Sequence, residues 1–473
     1  MAETIYDVAI VGSGPAGYTA AIRAGQLGLK VALIEKESKL GGTCLHVGCI
    51  PTKALLFSAE IFDHIKDAKD YGIEVPTGAK PNWGAVQERK DKIIAKHAKG
   101  LEFLMKKNKV TVVNGWGRLT GPASSGVHTV EVDSNGQKQP VKAKNLLLAF
   151  GSVARMLPGL KPDDRILTNI EILSLKDIPK SMVIIGSGAV GVEFASIYKS
   201  FGTRDVTIIE MLPRIVPVED EDVSKELARV YRKRGITAHV NAPVDKVERT
   251  KDGVNVTFTA DGKQQVLEAE KCLIAVGRAP RTQDVGLEKV PGIKVERGFV
   301  MTDEYMRTGV PGIYAIGDIV GGYPQLAHAG GMEGIVAVTQ IAGKKVEPIR
   351  KHLIPGATYC HPEIGSVGLT EAQAREKGHQ VKVGKFPFTA NSRASIVGQH
   401  EGFIKIVADA KYGEVLGVHI IGPLATELIH EAVAGMQLET TAEELMQTIH
   451  AHPTLSEAML DAAGAVYGMP INT

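Results

Sequence analysis

Two cysteines carry the chemistry that the sequence displays most clearly. Cys44 and Cys49 lie in the stretch GGTCLHVGCIPTK at residues 41–53, which ends in Lys53. On a regular helix, residues five positions apart are separated by about 7.5 Å along the axis and point about 140° away from each other, whereas a disulfide needs Cα atoms within about 7 Å. A bond between them therefore requires a distorted backbone, and a strained bond beside a lysine is easily reduced.

A redox pair has two structural alternatives here, a metal half-site and two unrelated buried thiols. A zinc site needs further cysteines or well-spaced histidines nearby. The other cysteines, Cys272 and Cys360, each stand alone in the sequence. The pattern around Cys44 and Cys49 therefore favours redox chemistry, and we predict no metal site.

The elements that must position this pair begin with a nucleotide-binding unit that occurs twice. In the first copy, an apolar strand at residues 7–11 leads into a glycine-rich turn, a helix through residue 26 and a second strand at residues 30–34. The key positions are Gly12, Gly14, Gly17 and Glu35. The glycines permit a tight turn, close approach of the backbone to a pyrophosphate and packing of the helix on the strand, while the acid binds ribose hydroxyls.

The second copy repeats this order of elements. An apolar strand at residues 181–185 precedes the turn, a helix runs through residue 198, and the next strand covers residues 205–209. The corresponding positions are Gly186, Gly188, Gly191 and Glu210. One such turn is a weak signal, but two copies in the same context are a strong one, so the sequence predicts two dinucleotide sites.

Length and composition favour an α/β enzyme of several domains. The 473 residues imply two to four domains. The 52 glycines and the low aromatic content of 5% suit an architecture with many tight turns. Because 55 basic residues nearly balance 53 acidic ones, we do not expect nucleic acid as a partner.

Several features bear on the compartment. The first strand starts almost at the initiator methionine, so we expect no secretory or transit signal in this sequence; a mature form from which a presequence was removed is the alternative. No apolar run approaches the roughly 18 residues that span a bilayer, so we expect no membrane span. Four cysteines in so long a chain indicate a reducing compartment, and we expect a cytoplasmic protein.

Further apolar segments predict the domain boundaries. Segments at residues 146–151 and 273–277 end in glycine and close one nucleotide unit each, and residues 313–318 form another buried strand with an acid at its tip. Two β-meanders are predicted within residues 110–141 and 253–266. From about residue 351 we predict antiparallel strands (383–388, 402–408 and 415–421) and two helices (425–438 and 442–449). The predicted fold is α/β, with two Rossmann-like dinucleotide-binding domains and a C-terminal α+β domain.

Taken in order, these motifs resemble those of the pyridine nucleotide-disulfide oxidoreductases, and within them the enzymes that oxidise dihydrolipoamide. The resemblance covers essentially the whole chain. It rests on the two glycine-rich turns, the cysteine stretch, AVGR at 275–278, IGD at 316–318, QLAH at 325–328 and HAHPTLSE at 450–457. It implies an FAD-binding domain (1–150), an NAD-binding domain (151–280), a central domain returning to the FAD (281–350) and a dimerisation domain (351–473).

For the flavin, the resemblance implies that the first glycine-rich turn and Glu35 bind FAD. It places Asp318 at the ribityl chain and Lys53 beside the isoalloxazine, with Glu193 as the partner of Lys53. Such a pair can tune the electron affinity of a flavin; a solvated salt bridge is the alternative for Glu193. Further cofactor contacts are expected at Thr43, Gly117, Gly151, Ser152, Gln325, Leu326, Ala327 and His328.

For the nicotinamide cofactor, the resemblance implies the second turn and Glu210. A carboxylate at this position repels the 2′-phosphate of NADP, so Glu210 favours NAD. Val244 and Gly277 are further expected contacts. Arg214 could in principle reach a phosphate, but we interpret it as a solvated loop charge.

His452 is implied as the base of the thiol step. A histidine with a near-neutral pKa can take a thiol proton, and a carboxylate on its other nitrogen fixes the tautomer; Glu457 is expected in that role. The resemblance implies that His452 serves the disulfide of the other subunit, so we expect an obligate homodimer. His450 is either a neighbour of this base or a helix-end residue.

The implied reaction is oxidation of dihydrolipoamide to lipoamide with reduction of NAD⁺. Cys44 is expected to exchange with the substrate and Cys49 to face the flavin. No lipoyl-type segment is fused to the chain, so we expect lipoylated subunits of 2-oxo acid dehydrogenase complexes or of the glycine cleavage system as partners. A component whose main role is docking in such an assembly is a compatible alternative.

Other branches of the family fit less well. Glutathione-reducing members would carry basic residues in place of Glu210, and members with a C-terminal redox pair would carry cysteines within residues 464–473, which contain none. The sequence also departs from the family at Phe150, where threonine is usual, which puts a hydroxyl contact to the cofactor in doubt. His46 and Thr52 replace asparagine and serine; His46 either perturbs the thiol pKa or is a tolerated exposed substitution.

Overall fold

The computed structural model of the protein describes residues 4–76 and 78–472, which form two compact units. The first unit comprises the chain up to Ala54, Gln87–Arg155 and Arg278–Ile349. The second comprises Leu55–Val86, Met156–Gly277 and the chain from Arg350. The division falls within two helices, Cys49–Lys66 and Trp83–Lys107, so each of them belongs partly to one unit and partly to the other.

A seven-stranded sheet forms the framework of the first unit. Its strands are Ile5–Val11, Val31–Glu35, Thr111–Asn114, Trp116–Leu119, His128–Ser134, Gln137–Leu148 and Ile313–Ala315. The strand Ile5–Val11 pairs in parallel with Val31–Glu35 and with Gln137–Leu148, which in turn pairs in parallel with Ile313–Ala315. Because parallel strands end at the same sheet edge, the residues that follow Val11 and Ala315 emerge at one edge, on either side of the end of Gln137–Leu148.

Helices of the first unit cover this sheet. They are Pro15–Gln26, Gly42–Val47, the start of Cys49–Lys66, the part of Trp83–Lys107 from residue 87, and Ala327–Ile341. The first and last of these pack closely, because a Cβ at Gly334 would lie only 2.8 Å from Ala16 O. Two short strand pairs complete the unit, Ser152–Ala154 with Arg278–Pro280 and Val295–Glu296 with Phe299–Val300.

The second unit contains three sheets. A parallel sheet consists of Ile166–Leu167, Ser181–Ile185, Asp205–Ile209, Ile236–His239 and Lys271–Ile274. A three-stranded antiparallel sheet consists of Val244–Arg249, Val254–Ala260 and Lys263–Ala269. A second antiparallel sheet consists of Gly356–Thr358, Glu363–Gly368, Val381–Pro387, Phe403–Asp409 and Val415–Gly422.

Helices surround these sheets. They are Asn169–Ile172, Ala189–Phe201, Glu221–Lys233, Glu371–Glu376, Ser392–Val397, Ala425–Gln437, Ala442–Gln447 and Glu457–Val466. Single turns of 3-10 helix in the two units lie at Ala68–Tyr71, Leu287–Lys289, Gly317–Ile319, Lys351–Leu353 and Phe388–Ala390. The C-terminal part is thus α+β, with a core that joins its sheet to its last three helices.

The predicted fold class is confirmed, while the exact domain boundaries stay a prediction. Sequence patterns missed the strands Gly356–Thr358 and Glu363–Gly368, whose glycines weaken the strand signal. They also missed the helix Glu457–Val466, which places Glu457 at its first position.

One segment within the described ranges qualifies the expectation of no membrane span. Gly42–Lys66 is long and apolar enough to cross a membrane, with a mean hydropathy of 1.2. The segment is interrupted at Gly48, however, and a single stretch of this kind is weak evidence.

Candidate active site

The two cysteines lie on either side of a helix break. The helix Gly42–Val47 ends at Gly48, and Cys49 begins the helix Cys49–Lys66. A Cβ at Gly48 would lie 2.9 Å from Thr43 O and 3.2 Å from the Cα of Cys44, so glycine permits the backbone to close up here. This is the kind of distortion that a bond between the cysteines requires.

The sulfur atoms of Cys44 and Cys49 contact each other. Both are half-buried thiols, and Cys44 donates a hydrogen bond to Cys49. That hydrogen bond, followed by burial, raises the pKa of Cys44 far above its usual range, while the ammonium of Lys53 acts in the opposite direction. Tyr18 lies close to both sulfur atoms, since negative charge on either of them adds to the burial that raises its pKa.

The first glycine-rich turn supports the start of the cysteine stretch. The amide of Gly41 donates to Ser13 O at 3.1 Å and to Ser13 Oγ at 3.2 Å. Gly42 approaches Gly14 so closely that a Cβ would lie 2.7 Å from its Cα. The turn that is predicted to hold a cofactor thus also anchors the redox pair.

The first turn itself has the shape of a pyrophosphate cradle. A Cβ at Gly12 would lie 2.1 Å from Ala149 O and one at Gly17 would lie 1.8 Å from Gly12 O, whereas one at Gly14 would meet nothing within 4 Å. Gly14 is the N-cap of the helix Pro15–Gln26, and no side chain of the described residues caps that helix. Without such a cap, the amides of the first turn of this helix can bind an anion.

The second turn repeats this geometry. A Cβ at Gly186 would lie 2.4 Å from Ala275 O and one at Gly191 would lie 2.0 Å from Gly186 O, while the space beside Gly188 is open. Gly188 is the N-cap of the helix Ala189–Phe201, again with no capping side chain in the part of the chain described. Both turns therefore fit the dinucleotides that the sequence predicts.

The two acids at the ends of the second strands are held alike. Glu35 accepts from Ser13 N at 2.9 Å and Ser13 Oγ at 2.6 Å, and Glu210 accepts from Ser187 N and Oγ at 2.8 Å each. The second oxygen of each carboxylate accepts an amide two residues further on, at 2.9 Å in both cases. A carboxylate has about four acceptor positions, so each acid can still bind about one ribose hydroxyl. Sequence patterns did not single out these serines, although both directly follow the first glycine.

Asp318 lies in a polar cluster of the first unit. Ser152 Oγ donates to its carboxylate, and Arg278 donates to Ser152 Oγ at 2.7 Å and to Ser152 O at 3.0 Å. Burial lowers the pKa of Arg278, which the charges of Asp318 and Cys49 oppose. Gln325 Nε2 donates to Asp318 O at 3.0 Å. Arg278 was not predicted as a site residue; its place in the AVGR motif was the available signal.

Three further residues that are predicted to contact the cofactor lie at the start of a helix of the first unit. Leu326 is the N-cap of Ala327–Ile341, so Ala327 is its first residue, and His328 is exposed. Thr43 is half buried in the helix before the break.

The remaining predicted contacts differ in how much space surrounds them. Gly151 and Gly277 have φ angles of +75° and +102° and open space at the Cβ position. Gly117 is packed instead, because a Cβ would lie 2.8 Å from Val11 Cγ1. Val244 is half buried and pairs with a strand of the small antiparallel sheet.

Glu193 is buried in the second unit. Glu193 is only 3% exposed, and its Oε1 accepts a hydrogen bond from the amide of Tyr359 at 2.9 Å. This burial argues against the solvated salt bridge considered for Glu193. Its pairing with Lys53, a residue of the first unit, stays a prediction.

His452 and Glu457 contact each other in the second unit. Nδ1 of His452 lies 2.9 Å from Glu457 Oε1, and Glu457 Oε2 accepts the amide of Thr454 at 2.7 Å. Partial burial acts to raise the pKa of Glu457, but the hydrogen bonds from Thr454 and His452 hold it below its usual range. Because this carboxylate is ionised, Nδ1 of His452 donates and Nε2 is left to accept a proton.

His450, two residues before His452, is held by two contacts within the protein. Its side chain is 6% exposed, Nε2 lies 2.8 Å from Glu431 Oε1, and Nδ1 lies 2.9 Å from Thr448 O. Both ring nitrogens of His450 are therefore occupied by contacts within the protein. Of the two roles left open for His450, the structure favours a neighbour of the base, since the preceding helix ends at Gln447.

The departures from the family pattern have local explanations. His46 is half buried and its Nε2 donates to a backbone carbonyl at 2.8 Å, so the expectation of an exposed side chain was wrong. Phe150 packs against the core of the first sheet. Thr52 Oγ1 donates to Gly48 O at 2.7 Å and so holds the helix break. Arg214 is half buried and donates to a backbone carbonyl at 3.1 Å, so it is not a solvated charge.

Comparison with family models gives two matches that together span most of the chain. Residues 6–334 match the model of the pyridine nucleotide-disulphide oxidoreductases. Residues 354–463 match the model of the pyridine nucleotide-disulphide oxidoreductase dimerisation domain.

Curated relatives and solved structures agree with these matches. The chain is 45% identical to the dihydrolipoyl dehydrogenase of Rhizobium etli, with 100% of both chains covered, and 44% identical to that of Bacillus subtilis, with 99% of each covered. Its fold is similar to LpdA from Mycobacterium tuberculosis, with a TM-score of 0.89, 30% identity and coverage of 96% and 98% of the two chains. It is also similar to the HOCl-induced flavoprotein disulfide reductase RclA from Escherichia coli, with a TM-score of 0.86, 26% identity and coverage of 98% and 99%.

Proposed function

Because the chain belongs to the pyridine nucleotide-disulphide oxidoreductase family, we propose that it oxidises protein-bound dihydrolipoamide to lipoamide and reduces NAD⁺ to NADH. The resemblance drawn from its motifs is confirmed, and the chain is a flavin-dependent disulfide oxidoreductase that uses FAD and NAD. When bound, FAD supplies two-electron transfer between a thiol pair and NAD⁺, which no side chain can provide. The observation that carries the proposal is the contact between the thiols of Cys44 and Cys49 across the break at Gly48.

The residues divide the thiol chemistry between them. His452 of the partner subunit takes a proton from one substrate thiol, and the resulting thiolate attacks Cys44. The bond between Cys44 and Cys49 breaks, a mixed disulfide forms on Cys44, and Cys49 leaves as a thiolate. The second substrate thiol then displaces Cys44 and closes lipoamide. One of the two substrate protons stays on the reduced pair of Cys44 and Cys49, and the other is released.

The proposal assigns the two turns to the two cofactors. Gly12, Gly14, Gly17 and Glu35 hold FAD, with Asp318 and Lys53 beyond the pyrophosphate. Gly186, Gly188, Gly191 and Glu210 hold NAD. The open space beside the central glycine of each turn supports this assignment, and a carboxylate at the second ribose site supports NAD over NADP.

The dimerisation domain supports a homodimer, and we infer that dimerisation is obligatory because the base acts on the disulfide of the other subunit. The lipoyl group then arrives on a subunit of a 2-oxo acid dehydrogenase complex or of the glycine cleavage system. The small number of cysteines supports a reducing compartment, the cytoplasm.

Anaerobic reduction of the purified yellow holoenzyme tests the function. Dihydrolipoamide should reduce the flavin and NAD⁺ should reoxidise it, whereas glutathione with NADP⁺ should not support turnover. Turnover with glutathione and NADP⁺ but not with dihydrolipoamide and NAD⁺ would contradict the proposal. His452→Gln should slow flavin reduction by dihydrolipoamide about 10²- to 10⁴-fold while flavin reduction by NADH keeps its rate, and equal slowing of both would indicate a folding role for His452.

A further inference from the structure

The helix Trp83–Lys107 presents a basic face to solvent. Its members, Lys96, Lys99, Phe103, Lys106 and Lys107, recur at intervals of three and four residues and so lie on one side of the helix. All five are exposed, and Phe103 is 64% exposed. The opposite side of the helix buries Ala98 and Met105, which are 5% and 2% exposed. The basic face is therefore the side turned away from the core of the first unit.

The charge of this face is not explained by local pairing. Residues 92–109 contain six lysines and one acid, Glu102, in a chain whose net charge is only +2. None of the four lysines of the basic face forms an ion pair within the described residues, although Lys92, one turn before it, pairs with Glu88 at 2.8 Å. Lysines three or four positions apart on a helix repel each other. The helix dipole favours Lys106 and Lys107 at the C-terminal end, but it gives no reason for Lys96, Lys99 or the exposed ring of Phe103.

The basic face begins near the helix that carries the redox pair. Arg89 Nη1 donates to Ala54 O at 3.2 Å, and Ala54 lies on the helix that Cys49 begins. Lys96 is seven residues beyond Arg89, or about 10 Å along its helix. A macromolecule bound to the basic face would therefore lie beside the helix of Cys49.

We propose that the basic face binds an acidic surface on the protein domain that delivers the dihydrolipoyl group, an inference that rests on the proposed function. Lysines that share one exposed face attract an oppositely charged partner and raise its rate of encounter. The ring of Phe103 adds an apolar contact in the centre of the charged area. An anionic membrane or a nucleic acid would use the lysines alone and has no need of a position beside the redox helix.

Two substrate peptides and two enzyme variants test this proposal. The peptides have equal length and one dihydrolipoyl-lysine each, flanked by aspartates in one and by asparagines in the other. The variant Lys96→Gln/Lys99→Gln removes two of the four positive charges of the basic face. The matched control Lys251→Gln/Lys263→Gln removes the same charge from two exposed lysines of the second unit, neither of which forms an ion pair in the described ranges.

For the holoenzyme with NAD⁺, Lys96→Gln/Lys99→Gln should lower kcat/KM for the aspartate peptide roughly three- to tenfold and weaken its salt dependence. The asparagine peptide, free dihydrolipoamide and the control variant should show no change. Equal losses on both peptides, the same loss in the control variant, or no loss in either would overturn the proposal. So would tighter binding of duplex DNA or phosphatidylglycerol vesicles than of the aspartate peptide to the basic face. Failure of the unmodified enzyme with free dihydrolipoamide would instead refute the proposed function.

Discussion

Replacing Glu457 by glutamine tests whether its carboxylate makes His452 an effective base. The carboxylate accepts from His452 Nδ1 at 2.9 Å and from the amide of Thr454 at 2.7 Å. Glutamine keeps the size of the side chain but presents only one oxygen, so its NH2 group must face one of these two donors. The substitution therefore removes the charge that stabilises a protonated His452 and disturbs one hydrogen bond.

The size of the effect follows from the exposure of the pair. Hydrogen bonds to charged groups contribute about 1.5–3 kcal/mol. The side chain of His452 is 70% exposed, and solvent weakens such contacts, so we expect the lower end, about 1.5 kcal/mol, or a roughly tenfold slower thiol step. Removal of His452 itself should cost more, about 10²- to 10⁴-fold, because it removes general-base catalysis altogether.

Anaerobic stopped-flow measurement separates the two half-reactions. Flavin reduction by dihydrolipoamide should slow in Glu457→Gln, while flavin reduction by NADH should keep its rate. Glu443→Gln is a suitable control, since Glu443 is an exposed carboxylate of the same domain that bonds only Gln447 among the contacts described. An unchanged thiol step would refute the role given to Glu457, and equal slowing of both half-reactions would assign it a structural role.

Two other substitutions have defined outcomes. Lys405 is 3% exposed and contacts three carboxylates at 2.9–3.0 Å, among them Asp220, so Lys405→Met should destabilise the fold by about 3–5 kcal/mol in denaturant titrations. Burial acts to raise the pKa of Asp220, but the contact with Lys405 lowers it below its usual value. The stability that this contact adds is present above about pH 4 and is lost as pH falls through the lowered pKa. Lys405→Met should therefore also make the free energy of unfolding less sensitive to acid pH. Gly48→Ala should slow formation of the bond between Cys44 and Cys49, measured by thiol titration after oxidation, because its Cβ would crowd the preceding turn. Gly100→Ala, at an exposed helix position with nothing within 4 Å, should leave this rate unchanged.

Local patterns predicted much of the fold because they reflect local causes. The parallel strands are recognisable in the sequence as apolar runs, because both of their faces are buried. The turns are recognisable by their glycines, because the close approach of two backbone segments leaves no room for a side chain. The spacing of Cys44 and Cys49 predicted a distorted helix, and the break lies at Gly48, between them. These features depend on residues close together in sequence.

Contacts between distant residues could not be predicted in the same way. Lys405 bonds Asp220 across 185 positions, and His450 bonds Glu431 across 19. Nothing in either local sequence identifies the partner, since a lysine or a histidine is ordinarily read as a surface or catalytic residue. The basic face on the helix Trp83–Lys107 was hidden for a related reason: a balanced total charge does not report how charge is distributed.

The two glycine-rich turns share one geometry but make different contacts with the segments that follow them. In both copies the serine after the first glycine binds the acid that ends the second strand. In the first copy Ser13 also accepts the amide of Gly41, which begins the cysteine stretch, whereas in the second copy the carbonyl of Ser187 accepts the amide of Val216 in a loop without cysteines. The cysteine stretch is therefore attached to the framework through a side chain that also bonds Glu35, the predicted ribose-binding acid. Ser13 links the predicted cofactor site to Cys44 within one turn, and this link distinguishes the first copy from the second.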